Sequence, residues 1–318
     1  MKKISVVVPT YNESGNIIKV YNRVVAVFEK FLQDYEMELL FEDNFSTDGT
    51  REEIEELCIS DSRVKAIFNA KNFGFSRSTY YAVLQATGDA VVLMFADMQD
   101  PPEIIPKFVK KWEEGNLVVV GIKASSKESF FMTQVRRLYY WLVKKISEIE
   151  HIEFYNGFGL YDRSFTDILR GMNDAYPYFR GIVAELAPRR CEVRYIHQER
   201  EAGKTHMNFM RLYDVAMAGI TSYSKVAMRV ATFLGIGLGV ISLIIAIVTL
   251  IKKLIFWNSY PVGNAALLVG VFFIGAAQLF FTGLIGEYIL SITIRTMNHP
   301  LIVEERRINF GESSKNDG

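Results

Sequence analysis

The sequence predicts an α/β domain built on a mostly parallel sheet, followed by two membrane-spanning helices. Short apolar runs recur through its first part: Ile4–Val8, Glu38–Glu42, Val64–Phe68, Val91–Phe95 and Leu117–Val120. Helical patterns of ten or more residues separate them, the signature of a sheet with helices on both faces. Beyond residue 230 the chain becomes far more apolar, with two segments long enough to span a bilayer.

Each run is expected to end in a polar loop at the carboxyl edge of the sheet, where open α/β folds bind ligands. Ile4–Val8 leads into Pro9-Thr10-Tyr11-Asn12-Glu13-Ser14 and a helix to about Asp34. Glu38–Glu42 leads into Asp43-Asn44-Phe45-Ser46-Thr47-Asp48-Gly49-Thr50, with Asp48 or Thr47 as expected N-cap of a second helix. After Val64–Phe68, Asn72-Phe73-Gly74 opens a helix whose expected C′ residue is Gly88. Val91–Phe95 is continuously apolar, as a strand buried on both faces requires. It ends in Asp97, Gln99 and Asp100, before a helix expected over Pro102–Glu114. Asp97 and Gln99 alternate about Met98, so both are expected to face one cation or phosphate group.

Two further segments read as amphipathic interface helices. Residues 130–149 mix Phe130, Phe131, Tyr139 and Trp141 with Arg136, Arg137, Lys144 and Lys145, which suits a membrane surface. Residues 207–223 lead towards the first span. The spans are Val230–Ile251 and Ala265–Ile292, joined by a loop with Trp257 and Tyr260 as interfacial anchors. Arg211, Lys225 and Arg229 precede the pair and Arg295, Arg306 and Arg307 follow it, outweighing Lys252 and Lys253 between them. That bias places both termini in the cytoplasm. The expected layout is a cytosolic domain over 1–224, a transmembrane hairpin over 225–294 and a cytosolic tail over 295–318. Gly235, Gly237 and Gly239, with Gly270, Gly275 and Gly283, permit close helix contact and hence a homo-oligomer.

Composition removes other classes. Lysine plus arginine equals aspartate plus glutamate, 36 against 36, and no basic stripe points to nucleic acid. Cys58 and Cys191 form no Cys-x-x-Cys pair, and the four histidines have no metal-ligand spacing. The first strand begins at once, leaving no signal-peptide pattern. No Walker A loop or G-x-G-x-x-G occurs, which weighs against ordinary kinase, ATPase and dinucleotide readings. Acidic groups, amides and the Tyr11 ring at one sheet edge suit a nucleotide: Tyr11 stacked on a base, Asp43 accepting from a base imino group, Asp97 holding a divalent cation on a diphosphate.

The motifs Val8-Pro9-Thr10-Tyr11-Asn12-Glu13, Ser46-Thr47-Asp48-Gly49-Thr50, Asn72-Phe73-Gly74, Gly88-Asp89 and Ala96-Asp97-Met98-Gln99-Asp100-Pro101-Pro102-Glu103 resemble those of family 2 glycosyltransferases with the GT-A, Rossmann-like fold. Arg200-Glu201-Ala202-Gly203-Lys204-Thr205, Gly219-Ile220-Thr221-Ser222-Tyr223-Ser224 and the two spans narrow the resemblance to polyisoprenyl-phosphate glycosyltransferases, the class of dolichol-phosphate mannose synthase and bactoprenol glucosyltransferases. It covers nearly the whole chain to about Arg307. The resemblance implies an inner-membrane hexosyltransferase that moves a sugar from a UDP- or GDP-linked donor to polyprenyl (undecaprenyl) phosphate with inversion. It assigns Pro9, Tyr11, Glu13 and Asp43 to the nucleotide pocket, and Asp97 and Gln99 to a Mg2+ or Mn2+ ion. Lys123 and Arg200 fall to the phosphates, beside Asp97 as catalytic groups.

The chain departs from the family pattern at four places. Phe95 replaces the first carboxylate of Asp-x-Asp, and Asp43-Asn44-Phe45-Ser46 stands for Asp-Asp-Gly-Ser. Gly157 and Gly159 replace an aspartate and an arginine in the segment Asn156-Gly157-Phe158-Gly159-Leu160. Two alternatives therefore stay open: a homologue that binds nucleotide sugar or lipid without turnover, and a transferase to another acceptor.

Overall fold

The computed structural model describes residues 1–124, 152–172, 174, 177–196, 264–296 and 300–311, with helical positions 237, 240, 241, 244, 248, 251 and 255. The expected interface helices at 130–149 and 207–223 lie outside these residues, as does most of 230–251. The chain divides into two compact units. One comprises Met1–Tyr140, Glu150–Met207 and Arg295–Gly318, the other Trp141–Ile149 and Asn208–Ile294.

The first unit is organised by one eight-stranded sheet. Four strands form its parallel centre: β1 (Lys2–Thr10), β2 (Tyr35–Asp43), β3 (Val64–Asn69) and β4 (Ala90–Leu93), in the order β4-β1-β2-β3. Ile4, Val6, Val7, Val8, Leu39, Leu40, Phe41, Val91, Val92 and Leu93 have no exposure, as strands covered on both faces require. β5 (Val118–Lys123) and β7 (Cys191–Tyr195) pair in parallel. β6 (Gly159–Asp162) runs antiparallel between β4 and β5, and β8 (Glu304–Ile308) antiparallel along β3. The expectation of a mostly parallel sheet holds, and β6 and β8 add antiparallel strands to it. The segment 295–318, expected as a tail, supplies the β8 edge.

Helices α1 (Ile17–Phe31), α2 (Thr50–Ser60), α3 (Phe75–Gln85) and α4 (Ile105–Glu113) cross between the strands; α5 (Arg163–Arg170) and α6 (Phe179–Leu186) follow β6. α1 buries Ile17, Val20, Val24, Val27 and Phe28, and α4 buries Ile105, Phe108, Val109 and Trp112. Both sets recur at the three-to-four-residue spacing of one helix face.

Several boundaries differ from expectation for identifiable reasons. The N-cap of α2 is Gly49, at φ 94°, because the Asp48 carboxylate instead accepts from the Thr50 hydroxyl (2.6 Å) and amide (3.2 Å). Gly88 is not the C′ residue of α3, which ends at Gln85 with Ala86 as its C-cap. It is glycine because β1 passes against it: a Cβ there would meet Ser5 Oγ at 2.7 Å and Lys3 O at 2.8 Å. β4 stops at Leu93 rather than Phe95, so Phe95 stands on the loop. A 3-10 turn, Pro102–Ile104, precedes α4.

In the second unit, α7 (Asn264–Thr296) is 33 residues long. Among the described residues, and on their side chains alone, no helix is long and apolar enough to cross a membrane.

Candidate active site

The loops after β1, β2 and β4 converge on one edge of the sheet, because these strands are parallel neighbours. Each contains a residue other than glycine with left-handed backbone: Asn12 (φ 55°), Phe45 (φ 70°) and Met98 (φ 60°). Such conformations are disfavoured for L side chains and persist where surrounding bonds enforce them.

Those bonds are plain between the first two loops. The Asn12 amide donates to Ser46 Oγ at 2.9 Å, and the Thr47 amide donates to Asn12 Oδ1 at 2.9 Å. The Glu13 amide donates to Thr50 Oγ1 at 2.9 Å, and Glu13 Oε2 accepts from Asn16 Nδ2 at 2.8 Å. Tyr11 and Glu13, both half-buried, therefore ride on a loop laced to the one that follows β2, with half-buried Pro9 near the end of β1. Asp43 lies at the root of that second loop with no exposure. Its Oδ2 accepts from the Phe45 amide at 3.1 Å, the Ser46 amide at 3.1 Å and Arg51 Nε at 2.8 Å. Arg51 continues to Glu305 on β8 and to the Asn69 carbonyl. The carboxylate assigned to a nucleotide base thus also fixes the turn around Phe45.

Next to Asp43, Glu42 is wholly buried and accepts from Ser78 Oγ and Asn69 Nδ2. Burial pushes its pKa up to about 7; the two hydrogen bonds oppose the rise and the Asp43 charge adds to it. This group escapes sequence inspection, because Glu42 reads as part of an ordinary strand end.

After β4, Asp97 and Gln99 are half-buried, and Asp97 Oδ1 accepts from the Gln99 amide at 3.2 Å. Asp100 behaves differently. It is 1% exposed, and its two oxygens accept from Asn156 Nδ2 (2.8 Å) and from the Tyr195 hydroxyl. Burial, then the Asp100 charge and hydrogen bond, and lastly Asp97, raise the Tyr195 pKa well above the usual tyrosine range. Lys123, half-buried at the end of β5, pairs in register with Tyr195. The structure therefore brings Asp100 and Lys123 to Tyr195 on β7, with Asp97 close enough for its charge to act on that hydroxyl. Arg200 lies outside the described residues.

Two of the substituted positions, Phe95 and Gly157, meet. A Cβ on Gly157, at φ 117°, would lie 3.5 Å from the Phe95 ring, which packs on Phe75 with centroids 5.5 Å apart. Phe95, two residues before Asp97, thus sits among apolar groups. Among the described residues no group of three or more histidine, cysteine, aspartate or glutamate side chains could hold a metal. Asp97 and Gln99 carry the side-chain oxygens that the resemblance assigns to a cation, and Asp97 Oδ1 also accepts from the Gln99 amide. That donor set fits a magnesium-like ion shared with substrate phosphates, which commonly takes only one or two carboxylates from the protein.

Comparison with known proteins agrees with this architecture. The family model "Glycosyl transferase family 2" matches residues 5–168. A prophage bactoprenol glucosyl transferase homologue of Escherichia coli (strain K12) is 31% identical over 96% of this chain and 99% of its own. The SfII prophage-derived bactoprenol glucosyl transferase of Shigella flexneri is 33% identical over 94% and 96%. An uncharacterised glycosyltransferase of Bacillus subtilis (strain 168) is 32% identical over 98% and 95%. Among solved structures, glucosyl-3-phosphoglycerate synthase of Mycobacterium tuberculosis in complex with phosphoglyceric acid gives a TM-score of 0.50 at 18% identity, over 69% of this chain and 78% of that one. That likeness concerns the fold alone. The chain belongs to glycosyl transferase family 2.

Proposed function

We propose that this glycosyltransferase moves a hexose from a nucleotide sugar to polyprenyl phosphate at the cytosolic face of the membrane. The observation that carries the proposal is the half-buried Asp97 at the carboxyl edge of the sheet, on the loop after β4, with the Tyr11 loop following the neighbouring strand β1. The bactoprenol-directed relatives, similar over nearly the full chain, support the lipid acceptor.

The acceptor phosphate is ionised near neutral pH, so its oxygen attacks without a general base. The new bond forms from that oxygen to the anomeric carbon as the bond to the nucleotide diphosphate breaks. Attack from the opposite face inverts the sugar. What remains for the protein is in-line placement and stabilisation of the departing diphosphate. Lys123, and Arg200 on the expected pattern, hold the phosphates. Asp97 with Gln99 would hold a Mg2+ or Mn2+ ion, which when bound offsets diphosphate charge.

Membrane attachment through 225–294, with both termini cytosolic, belongs to the same proposal. It is supported by exposed Val240, Ile241, Ile244, Val248, Ile251 and Ile255 at helical spacing, and by exposed Leu267, Val271, Ile274, Ile285 and Ile289 on α7. Exposed apolar surface on this scale marks contact with lipid or protein.

The test is incubation of the full chain with labelled UDP- or GDP-linked hexoses and undecaprenyl phosphate. The expected product is a solvent-extractable lipid phosphosugar. Nucleotide-sugar binding without any such product would favour the non-catalytic homologue.

A further inference from the structure

Phe45 occupies a position that burial of its ring does not explain. At φ 70° a residue with a Cβ is disfavoured, and glycine or asparagine is the usual occupant. The ring is not buried in return. It is 40% exposed, while its neighbours Asn44 and Ser46 are buried. The loop nevertheless holds it firmly. Asp43 Oδ2 takes the Phe45 and Ser46 amides, each at 3.1 Å, and the Arg51 guanidinium lies over the ring at 5.2 Å from its centroid. Arg51 is itself fixed by Asp43 and Glu305, both at 2.8 Å. Through the Asn12–Ser46 and Asn12–Thr47 bonds, the loop carrying Phe45 is joined to the loop carrying Tyr11.

We infer that Phe45 is a second aromatic platform for the base of the nucleotide, set on the loop beside Tyr11. The assignment rests on the nucleotide-sugar reading of the site. A ring offers no hydrogen bond to a sugar hydroxyl or a phosphate, whereas every nucleobase has a flat face to stack on it. A disfavoured backbone and an exposed aromatic side chain are what a binding residue costs the unliganded protein.

The experiment compares Phe45→Tyr with Phe45→Leu in the full chain, titrated with UDP and with GDP. Both variants keep a Cβ at the left-handed position, so they carry the same backbone cost and differ in the ring. The expected result is that both melt cooperatively, that the tyrosine variant binds the wild type's preferred nucleotide as the wild type does, and that the leucine variant binds it roughly tenfold more weakly or worse. Wild-type affinity in the leucine variant would overturn the assignment. So would equal losses in both variants, which would mark a steric fit rather than stacking. A wild type that binds neither UDP nor GDP would overturn the nucleotide reading itself, an outcome distinct from a wild type that binds and a leucine variant that does not differ.

Discussion

After β2 and after β4 the chain builds its loops from the same parts. Each has a carboxylate with almost no exposure, Asp43 or Asp100, pinned by two or more donors. Each turns through a left-handed residue, Phe45 or Met98. They differ in what is left facing outward. The first loop presents an aromatic ring, the second the half-buried Asp97 and Gln99. A buried carboxylate is tolerated only when paired and hydrogen-bonded. Asp43 and Asp100 thus hold their loops, while Asp97 is the carboxylate proposed to meet substrate.

Stability measurements can break that division. The largest expected effect is at the β2 loop. Arg51→Ala removes the partner of the unexposed Asp43 and should lower stability by roughly 3–5 kcal/mol, read from chemical denaturation of the full chain. A loss typical of a surface pair, under about 1 kcal/mol, would show that Asp43 is not pinned in this way.

Glu42 gives a pH test of the same region. Its folded pKa of about 7 exceeds the ordinary 4.5, so the folded state binds more protons between those values. Its contribution is fully present below about pH 4.5 and is lost as pH rises through 7. Glu42→Gln should remove that decline and be more stable than wild type at pH 8, by up to about 3 kcal/mol. Parallel melting curves for both proteins from pH 5 to pH 8 would contradict the assignment.

The smallest effect belongs to the β4 loop. Tyr195→Phe deletes one of the donors to Asp100 and should cost about 1–3 kcal/mol. Because Asn156 still donates, the change should be milder than Arg51→Ala. The reverse order would make the β4 loop the more strongly pinned of the two.

How much of this was legible in the sequence depends on the region. β1 to β4 are apolar runs closed by polar loops, and burial on both faces writes that pattern directly. β6 is only four residues long and starts at Gly159, where a Cβ would meet the Val119 carbonyl at 2.5 Å, so its two buried apolar side chains, Leu160 and Tyr161, are too few to make an apolar run. β8 reads Glu-Glu-Arg-Arg-Ile, and charge on an edge strand hides it from any hydrophobic pattern while protecting the edge. Asp97 stands out in the sequence as a candidate because it follows an apolar run, although β4 itself ends at Leu93. The pinning of Asp43 by Arg51 and of Asp100 by Asn156 and Tyr195 was not legible, since these partners lie on other elements and, for Asp100, 56 and 95 residues away in sequence.

The central claim is that Asp97 meets the reacting diphosphate of the substrate. The direct measurement is lipid phosphosugar formation by Asp97→Asn and Asp89→Asn at saturating metal, with melting curves for both. Asp89 is exposed just before β4, at the opposite end of that strand, where it accepts from the Lys3 amide at 2.7 Å. Asp97→Asn should melt like wild type and lose turnover by roughly 10²–10³-fold, the effect of removing one electrostatic contact made in the transition state. Asp89→Asn should keep near wild-type turnover. Wild-type turnover in Asp97→Asn would contradict the account.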